Sequence, residues 1–355
     1  MNIKEVLTER TKNIDKIIEK YIPRIYDKKS MEITGGKPVY EYSLTAPTES
    51  IAKPMWDLLD RGGKRWRPAL LLMIIDALGK DSKKFEEFAI IPEVIHNATL
   101  VHDDIEDQSE TRRGRPCLHK LFGEDIAVNA GDAMYFLPIK VLMLNKDKLT
   151  KDQLIKCYEI YVQEMINVSL GQGMDIAWHR GLANADNISE NEYLQMCAYK
   201  TGCLARMSAK LGACLAGADD NTITKLGILA ESIGVSFQIQ DDILSLTGEE
   251  FQKKKGYGED IHEGKRTLMI VYTLSKANES DKKRLLEILN MHTWDLSLIE
   301  EAVDILKKYK AFDYAKKRAK DIVESAWNNA QSLLKDTTAK EELKAFAYYL
   351  IERKI

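Results

Sequence analysis

The sequence predicts an all-α fold, a single-domain bundle of long helices around a central cavity, and three observations carry that expectation. Apolar residues recur at helical spacing over most of the 355 positions. Proline occupies only eight of them, so few helices need be broken. No sustained alternation of apolar and polar residues marks a strand. With 45% hydrophobic residues the chain can bury a substantial core.

The chain opens with an amphipathic stretch whose Ile14, Ile17, Ile18 and Tyr21 share one face and which ends at Pro23. Residues from about 26 to 48, with Gly35-Gly36, Pro38 and Pro47, read as a loop. Helical patterns follow at about 49–60, 67–79, 84–107, 123–144, 151–173, 190–216 and 221–247. Asp219-Asp220-Asn221 reads as a turn that caps the last of these. Lys253 to Gly264 is a basic, glycine-containing loop, and shorter helices fill about 267–278, 281–291, 296–309, 311–335 and 338–353. No solenoid repeat and no linker-like shift in composition appear after residue 49. The expected organisation is an N-terminal helix and loop over 1–48, then one domain over 49–355.

Lys+Arg 52 against Asp+Glu 55 leaves a net charge of −3, which gives no support to nucleic acid or an anionic membrane as the main partner. Any polyanion site must therefore be local. Five scattered cysteines without CxxC spacing read as reduced, buried thiols. No apolar stretch of about 18 residues escapes a charged or strongly polar residue, so no membrane span is expected. Glu5, Glu9, Asp15 and Glu19 argue against a transit peptide, and the expected location is the cytosol.

Two acidic clusters 138 positions apart carry the chemistry: Asp103-Asp104-Ile105-Glu106-Asp107 and Asp241-Asp242-Ile243-Leu244-Ser245. Each closes a long apolar helical run. Asp103, Asp104 and Asp107 stand three and four residues apart, so their carboxylates can converge on one helix face. Crowded carboxylates repel unless a cation offsets them. Hard oxygen donors suit Mg²⁺, which keeps waters and bridges a few carboxylates to substrate phosphates.

Basic elements accompany both clusters. Arg61-Gly62-Gly63-Lys64-Arg65-Trp66-Arg67-Pro68 sets cations and glycines ahead of a helix, where backbone amides can approach a polyanion. Arg112-Arg113-Gly114-Arg115 follows the first cluster and can either neutralise it or grip a diphosphate bidentately. Lys200, Lys255 and Lys265 complete the set.

In this order the motifs resemble the trans-isoprenyl diphosphate synthases, the polyprenyl synthetase family, and most closely its geranylgeranyl diphosphate synthases. The resemblance runs from about residue 50 to 275. It includes Gly-Gly-Lys64-Arg-Trp-Arg67-Pro, Glu93-Val-Ile-His96, the first Asp motif with Arg112-Arg113, Asn129-Ala-Gly-Asp132, Gly171-Gln172 through Lys200-Thr201-Gly202, and Phe237-Gln238 into the second Asp motif. The Lys255 to Lys265-Arg-Thr267-Leu loop follows.

The resemblance implies the isoprenoid synthase type of helical fold, a homodimer, and condensation of isopentenyl diphosphate with an allylic diphosphate. Isopentenyl diphosphate would bind Lys64, Arg67, His96 and Arg113. The allylic diphosphate would sit on Mg²⁺ bridged by Asp103 and Asp107, helped by Asp104 and Arg112. Asp241, supported by Asp242, would hold a third Mg²⁺. Lys200, Lys255 and Lys265 would contact the same diphosphate, and Thr201 and Gln238 would line the reacting carbons.

Two departures stand out. Ser245 occupies the place of the second motif's last Asp, with Glu249 or Glu250 as candidates to replace it, and Met269 takes the place of the common Pro. His102 reads as a cap or hydrogen-bonding residue; His119, His179, His262 and His292 read as surface or structural, and Asp132 and Asp175 as buried hydrogen-bonding groups. Met134-Tyr135-Phe136-Leu137 reads as core by default.

The growing chain should run along the first-motif helix, one turn (about 5–6 Å) deeper than Asp103. Ala98 and Thr99 stand there, both small, where bulky aromatics in the family stop the product early. Deeper on that helix come Ile95 and Ile91, and across the pocket Tyr135 or Phe136, either of which would form the floor. The expected product is C20, with C25 and longer as alternatives. A class I terpene cyclase and a catalytically silent subunit of a heteromeric synthase are the competing functions. The first needs no isopentenyl site, and the second should have lost motif aspartates.

Overall fold

The computed structural model describes residues 2–247 and 258–352, which are helical almost throughout. The chain packs as two compact units: Asn2–Tyr158 with Leu211–Ala218, and Glu159–Lys210 with the chain from Asp219 onward.

The first unit is built on the helices Trp66–Ala77 and Ile90–Glu106. The first is apolar all round and accordingly buried on nearly every face, from Ala69 through Ile75. Ile90–Glu106 buries Ile91, Val94, Ile95 and Ala98 and leaves its last turn to the acidic motif. Its start differs from the sequence expectation. Residues Ser82–Ala89 form 3₁₀ turns, and the α-helix begins at Ile90, with Pro92 in the first turn where no amide donor is needed. The neighbouring helix Glu124–Phe136 passes close at Gly131, where a Cβ would come 2.5 Å from the His102 ring.

The loop expected over 26–48 is corrected by a helix at Lys28–Gly35. Asp27 accepts from the Ser30 amide at 2.7 Å while the Ser30 hydroxyl accepts from the Asp27 amide at 2.9 Å, a reciprocal cap that makes a short helix viable. Gly36, at φ +84°, closes it. A second correction concerns the run 124–144, which by length and composition alone could cross a bilayer. It is not one helix: a 3₁₀ turn at Leu137–Ile139, containing Pro138, interrupts it before Lys140–Leu144.

The second unit centres on Asp220–Thr247, whose Ile233, Ile239 and Ile243 are buried. It packs on Ala311–Ala330, and Ser236 Oγ donates to the Ala319 carbonyl at 2.9 Å. Met269 is fully buried in this core, so the residue replacing the common proline has a packing role. The expected 190–216 helix is two helices, Glu190–Cys197 and Cys203–Leu215, joined by a π-helical turn at Ala198–Gly202. Gly202 and Gly234 let that turn touch Asp220–Thr247, for a Cβ on Gly234 would stand 2.8 Å from the Gly202 Cα. All five cysteines are buried free thiols.

Candidate active site

In the first unit, the loop ahead of Trp66–Ala77 ends at Arg65, left-handed at φ +47°, and this turn separates an exposed Lys64 from a buried Arg67. The Arg67 guanidinium lies 4.2 Å over the Trp66 ring. Arg65 donates to Glu93 at 2.7 Å and to Asp15 at 2.9 Å. Glu93 also accepts from Asn97 at 3.0 Å, and Asn97 Oδ1 accepts from Arg113 at 3.2 Å. A buried relay thus links the basic loop, the Glu93–His96 turn and Arg113.

His96 is half-buried, and burial, with Arg67, Arg113 and Arg112 nearby, holds its imidazole well below its usual range. Arg113 is pushed down to about 10 by burial and by Arg65, Arg112 and Arg61, against Glu93. An arginine ordinarily stays charged far above that value. Cations this crowded make a standing positive field that a polyanion would relieve.

The first Asp motif divides its labour. Asp104 is buried and held by Arg112, whose Nε donates at 2.8 Å and whose Nη2 donates to the same oxygen. Burial works against the Arg112 charge, but Asp104 and Asp103 raise its pKa. Asp103, 3.6 Å from Arg112, and Asp107 stay half-buried one turn apart. Instead of three equivalent carboxylates, Asp104 fixes an arginine while Asp103 and Asp107 stand half-buried one turn apart.

Ile95 and Ala98 are fully buried and Thr99 is half-buried, its hydroxyl donating to the His96 carbonyl at 2.8 Å. Tyr135 stacks on His102 at 5.0 Å, whereas Phe136 is 66% exposed and forms no floor within this chain. The two ring nitrogens of His102 face the Ala98 carbonyl at 3.0 Å and Asp132 at 3.1 Å. Asp132 is half exposed, which corrects the expectation of a buried group.

In the second unit, the π-turn carries Lys200 and Thr201. Gly171 lets the turn approach, since a Cβ there would be 2.2 Å from the Lys200 amide nitrogen. Lys200 donates to the buried Asp175 at 2.5 Å. Burial alone would raise the Asp175 pKa, but Lys200 and Lys265 outweigh it and lower it. Thr201 donates to Gln238 at 2.9 Å, Gln238 to Asp242 at 2.8 Å, and Tyr193 to the other Asp242 oxygen at 2.9 Å.

Asp242 is therefore an acceptor at the end of a relay, while Asp241 is half-buried beside it. Burial and Asp260 push the Asp242 carboxyl up, against Gln238, Tyr193 and Lys265. Ser245 donates to the Asp242 carbonyl at 2.8 Å and to Asp260. Among the described residues, Asp260 is the carboxylate that the Ser245 hydroxyl meets. Lys265 pairs with Glu263. Lys255, Glu249 and Glu250 lie outside the described residues.

Among the described residues no three His, Cys, Asp or Glu side chains gather as an all-protein metal cage. The donors present, carboxylates in ones and twos, fit Mg²⁺, which completes its shell with water and phosphate oxygens. They do not fit a zinc site.

Residues 48–306 match the polyprenyl synthetase sequence profile, a span that holds both Asp motifs and the basic residues described with them. The chain belongs to the polyprenyl synthetase family. It is 34% identical over 306 residues to a short chain isoprenyl diphosphate synthase of Methanothermobacter thermautotrophicus, covering 86% of this chain and 91% of that one. It is also 34% identical over 309 residues to a geranylgeranyl diphosphate synthase of Saccharolobus solfataricus, with the same coverage. The crystal structure of a geranylgeranyl pyrophosphate synthetase from Pyrococcus horikoshii superposes with a TM-score of 0.84 at 30% identity, over 99% of this chain and 100% of that one.

Sequence reasoning about this polyprenyl synthetase missed the residues that act through others. Asn97 and Tyr193 are given no role by the sequence reading, Asp260 enters it only as an unremarked member of the Lys255 to Lys265 stretch, and Asp175 only as a hydrogen-bonding group. One signal was available: Asp175 stands four residues after Gly171 on one helix, one turn from the position that admits Lys200.

Proposed function

We propose that this polyprenyl synthetase is a Mg²⁺-dependent prenyltransferase that joins isopentenyl diphosphate head-to-tail to an allylic diphosphate, giving an all-trans product of C20 or longer. The carrying observation is the cluster of Arg67 and Arg113 around His96, a basic site in addition to the arginine that grips Asp104. A cyclase, which ionises a single substrate, has no use for it.

Asp103 and Asp107 would hold Mg²⁺ on the allylic diphosphate, Asp241 a third ion, and Lys200 and Lys265 its remaining oxygens. The metal, when bound, spreads the leaving group's negative charge as a Lewis acid. The allylic C1–O bond breaks, the isopentenyl double bond attacks C1, and the proton lost from the new cation passes to the departing diphosphate. Thr201 and Gln238 offer oxygen dipoles to the developing positive charge. Neutral His96 donates a hydrogen bond to isopentenyl diphosphate without competing for that proton.

The protein acts as a homodimer in this reading, because both units expose large apolar side chains, those of the second unit in a row along one helix face. Five buried free thiols suit a reducing compartment.

The test is incubation with labelled isopentenyl diphosphate, Mg²⁺ and, in turn, dimethylallyl, geranyl or farnesyl diphosphate, with products sized after phosphatase treatment. Labelled prenyl alcohols of C20 or longer are expected. No incorporation with any primer by folded protein would defeat the proposal. Diphosphate release from the primer alone would then indicate a cyclase.

A further inference from the structure

Arg113 does not sit on a helix. It is the first of two turn residues in the smallest β-hairpin possible here, Thr111–Arg112 paired with Arg115–Pro116 in the register Thr111↔Pro116 and Arg112↔Arg115. The turn Arg113-Gly114 has both residues left-handed, at φ +54° and +78°. Such a two-residue turn suits a hairpin but favours Asn and Gly, and an arginine in it is strained. Strands of two residues supply too few hydrogen bonds to hold that conformation alone.

Something outside the hairpin must therefore hold it. The Arg61 side chain is only 1% exposed, and its fork reaches three hairpin carbonyls. Nη1 donates to the Arg112 carbonyl at 2.9 Å and more weakly to that of Arg115 at 3.5 Å, and Nη2 donates to the Pro116 carbonyl at 2.9 Å. Asp57, one helical turn earlier, accepts from Arg61 Nε at 3.0 Å and Nη2 at 2.5 Å. Its second oxygen accepts from Arg115 at 2.7 Å. A buried cation needs such a partner, and the planar guanidinium matches carbonyls that a point-like ammonium cannot serve together.

We infer that Arg61, oriented by Asp57, is a positioning residue that clamps the hairpin and so presents Arg113 to the diphosphate of the homoallylic substrate. This rests on the function proposed above. Arg61 touches no substrate itself. Its effect runs through three backbone carbonyls, and its loss should appear in binding of the diphosphate instead of in the chemical step.

The test measures calorimetric binding of isopentenyl diphosphate alone, with no allylic partner, to the full-length protein and to Arg61→Ala, Arg61→Lys and Gly114→Pro. Far-UV circular dichroism and melting temperature are recorded for each. Gly114→Pro covers the case in which Arg61→Ala fails to fold. Gly114 is exposed with nothing within 4 Å of a Cβ, so the substitution forbids the positive φ without touching the core. The expected result is about tenfold weaker binding in every folded variant, with lysine giving no rescue. In steady-state assays KM for isopentenyl diphosphate should rise while kcat changes little.

Unchanged affinity in Arg61→Ala or Gly114→Pro would overturn the inference while leaving the proposed function standing. Wild-type affinity in Arg61→Lys would also overturn it, by showing that charge alone suffices. A wild-type protein that binds no isopentenyl diphosphate would overturn both.

Discussion

Asp103 and Asp104 are adjacent, yet their surroundings separate them. Asp104 spends its carboxylate on Arg112, while Asp103 keeps a half-exposed face one turn from Asp107. Asp103→Asn should lower kcat by about 10²–10³, the usual scale for losing one charge-stabilising group, and should demand more Mg²⁺. Asp104→Asn still accepts from Arg112 and should cost no more than about tenfold. A Mg²⁺ titration of turnover in both variants checks the ordering; equal losses would refute the division of labour. Thr99→Phe places a ring one turn below Asp103 and should shorten the longest product, read as a shift toward C15 alcohols in the phosphatase assay. His96 supplies a pH test. Its folded pKa is depressed, so between that value and the unfolded value near 6.5 the unfolded chain holds more protons. The stability it contributes is present above about pH 6.5 and is lost as pH falls through the folded pKa. His96→Gln should flatten the acid side of a urea-stability profile, and an unchanged slope would count against the assignment.

At the scale of elements, glycines decide where the second unit's site can form. Gly171 and Gly173 stand two residues apart on one helix, but a Cβ on the first would strike backbone at 2.2 Å while one on the second would meet nothing within 4 Å. Gly171→Ala should therefore cost about 3 kcal/mol by overpacking. Gly173→Ala should gain up to about 1 kcal/mol from helix propensity. Chemical denaturation of both variants makes the comparison, and similar values would show that the crossing is loose. The same helices show what could be read in advance. The long amphipathic runs, and both Asp motifs at helix ends, were legible because apolar periodicity and charge clustering are local properties. The π-turn holding Lys200, the break at Pro138 and the Asp27–Ser30 cap were not read from that pattern, since one extra residue per turn or one side-chain hydrogen bond barely alters periodicity. Asp260 was unreadable for another reason: its contact with Ser245 joins residues 15 apart in sequence, and only folding brings them together.

For the whole molecule, the unexplained feature is apolar surface. In the first unit Val128, Phe136, Met143 and Leu144 are 40–66% exposed. In the second unit Val162, Ile166 and Leu170 are each about half exposed and recur every four residues along one helix face. Soluble monomers seldom present such rows, because each side chain left in water forgoes roughly 1.5–3 kcal/mol of burial. Phe136 belongs to this surface and not to a pocket wall, which separates its role from that of Tyr135. A second copy of the chain is the occupant proposed, since identical apolar rows are self-complementary across a two-fold axis. Ile166→Glu would place a charge in the middle of one row, where pairing would strip it of water without a partner. Analytical ultracentrifugation should find the wild type at twice the chain mass and Ile166→Glu shifted toward monomer, with helix content retained. A wild type that sediments as a monomer at micromolar concentration would remove the dimer and leave these rows without an explanation.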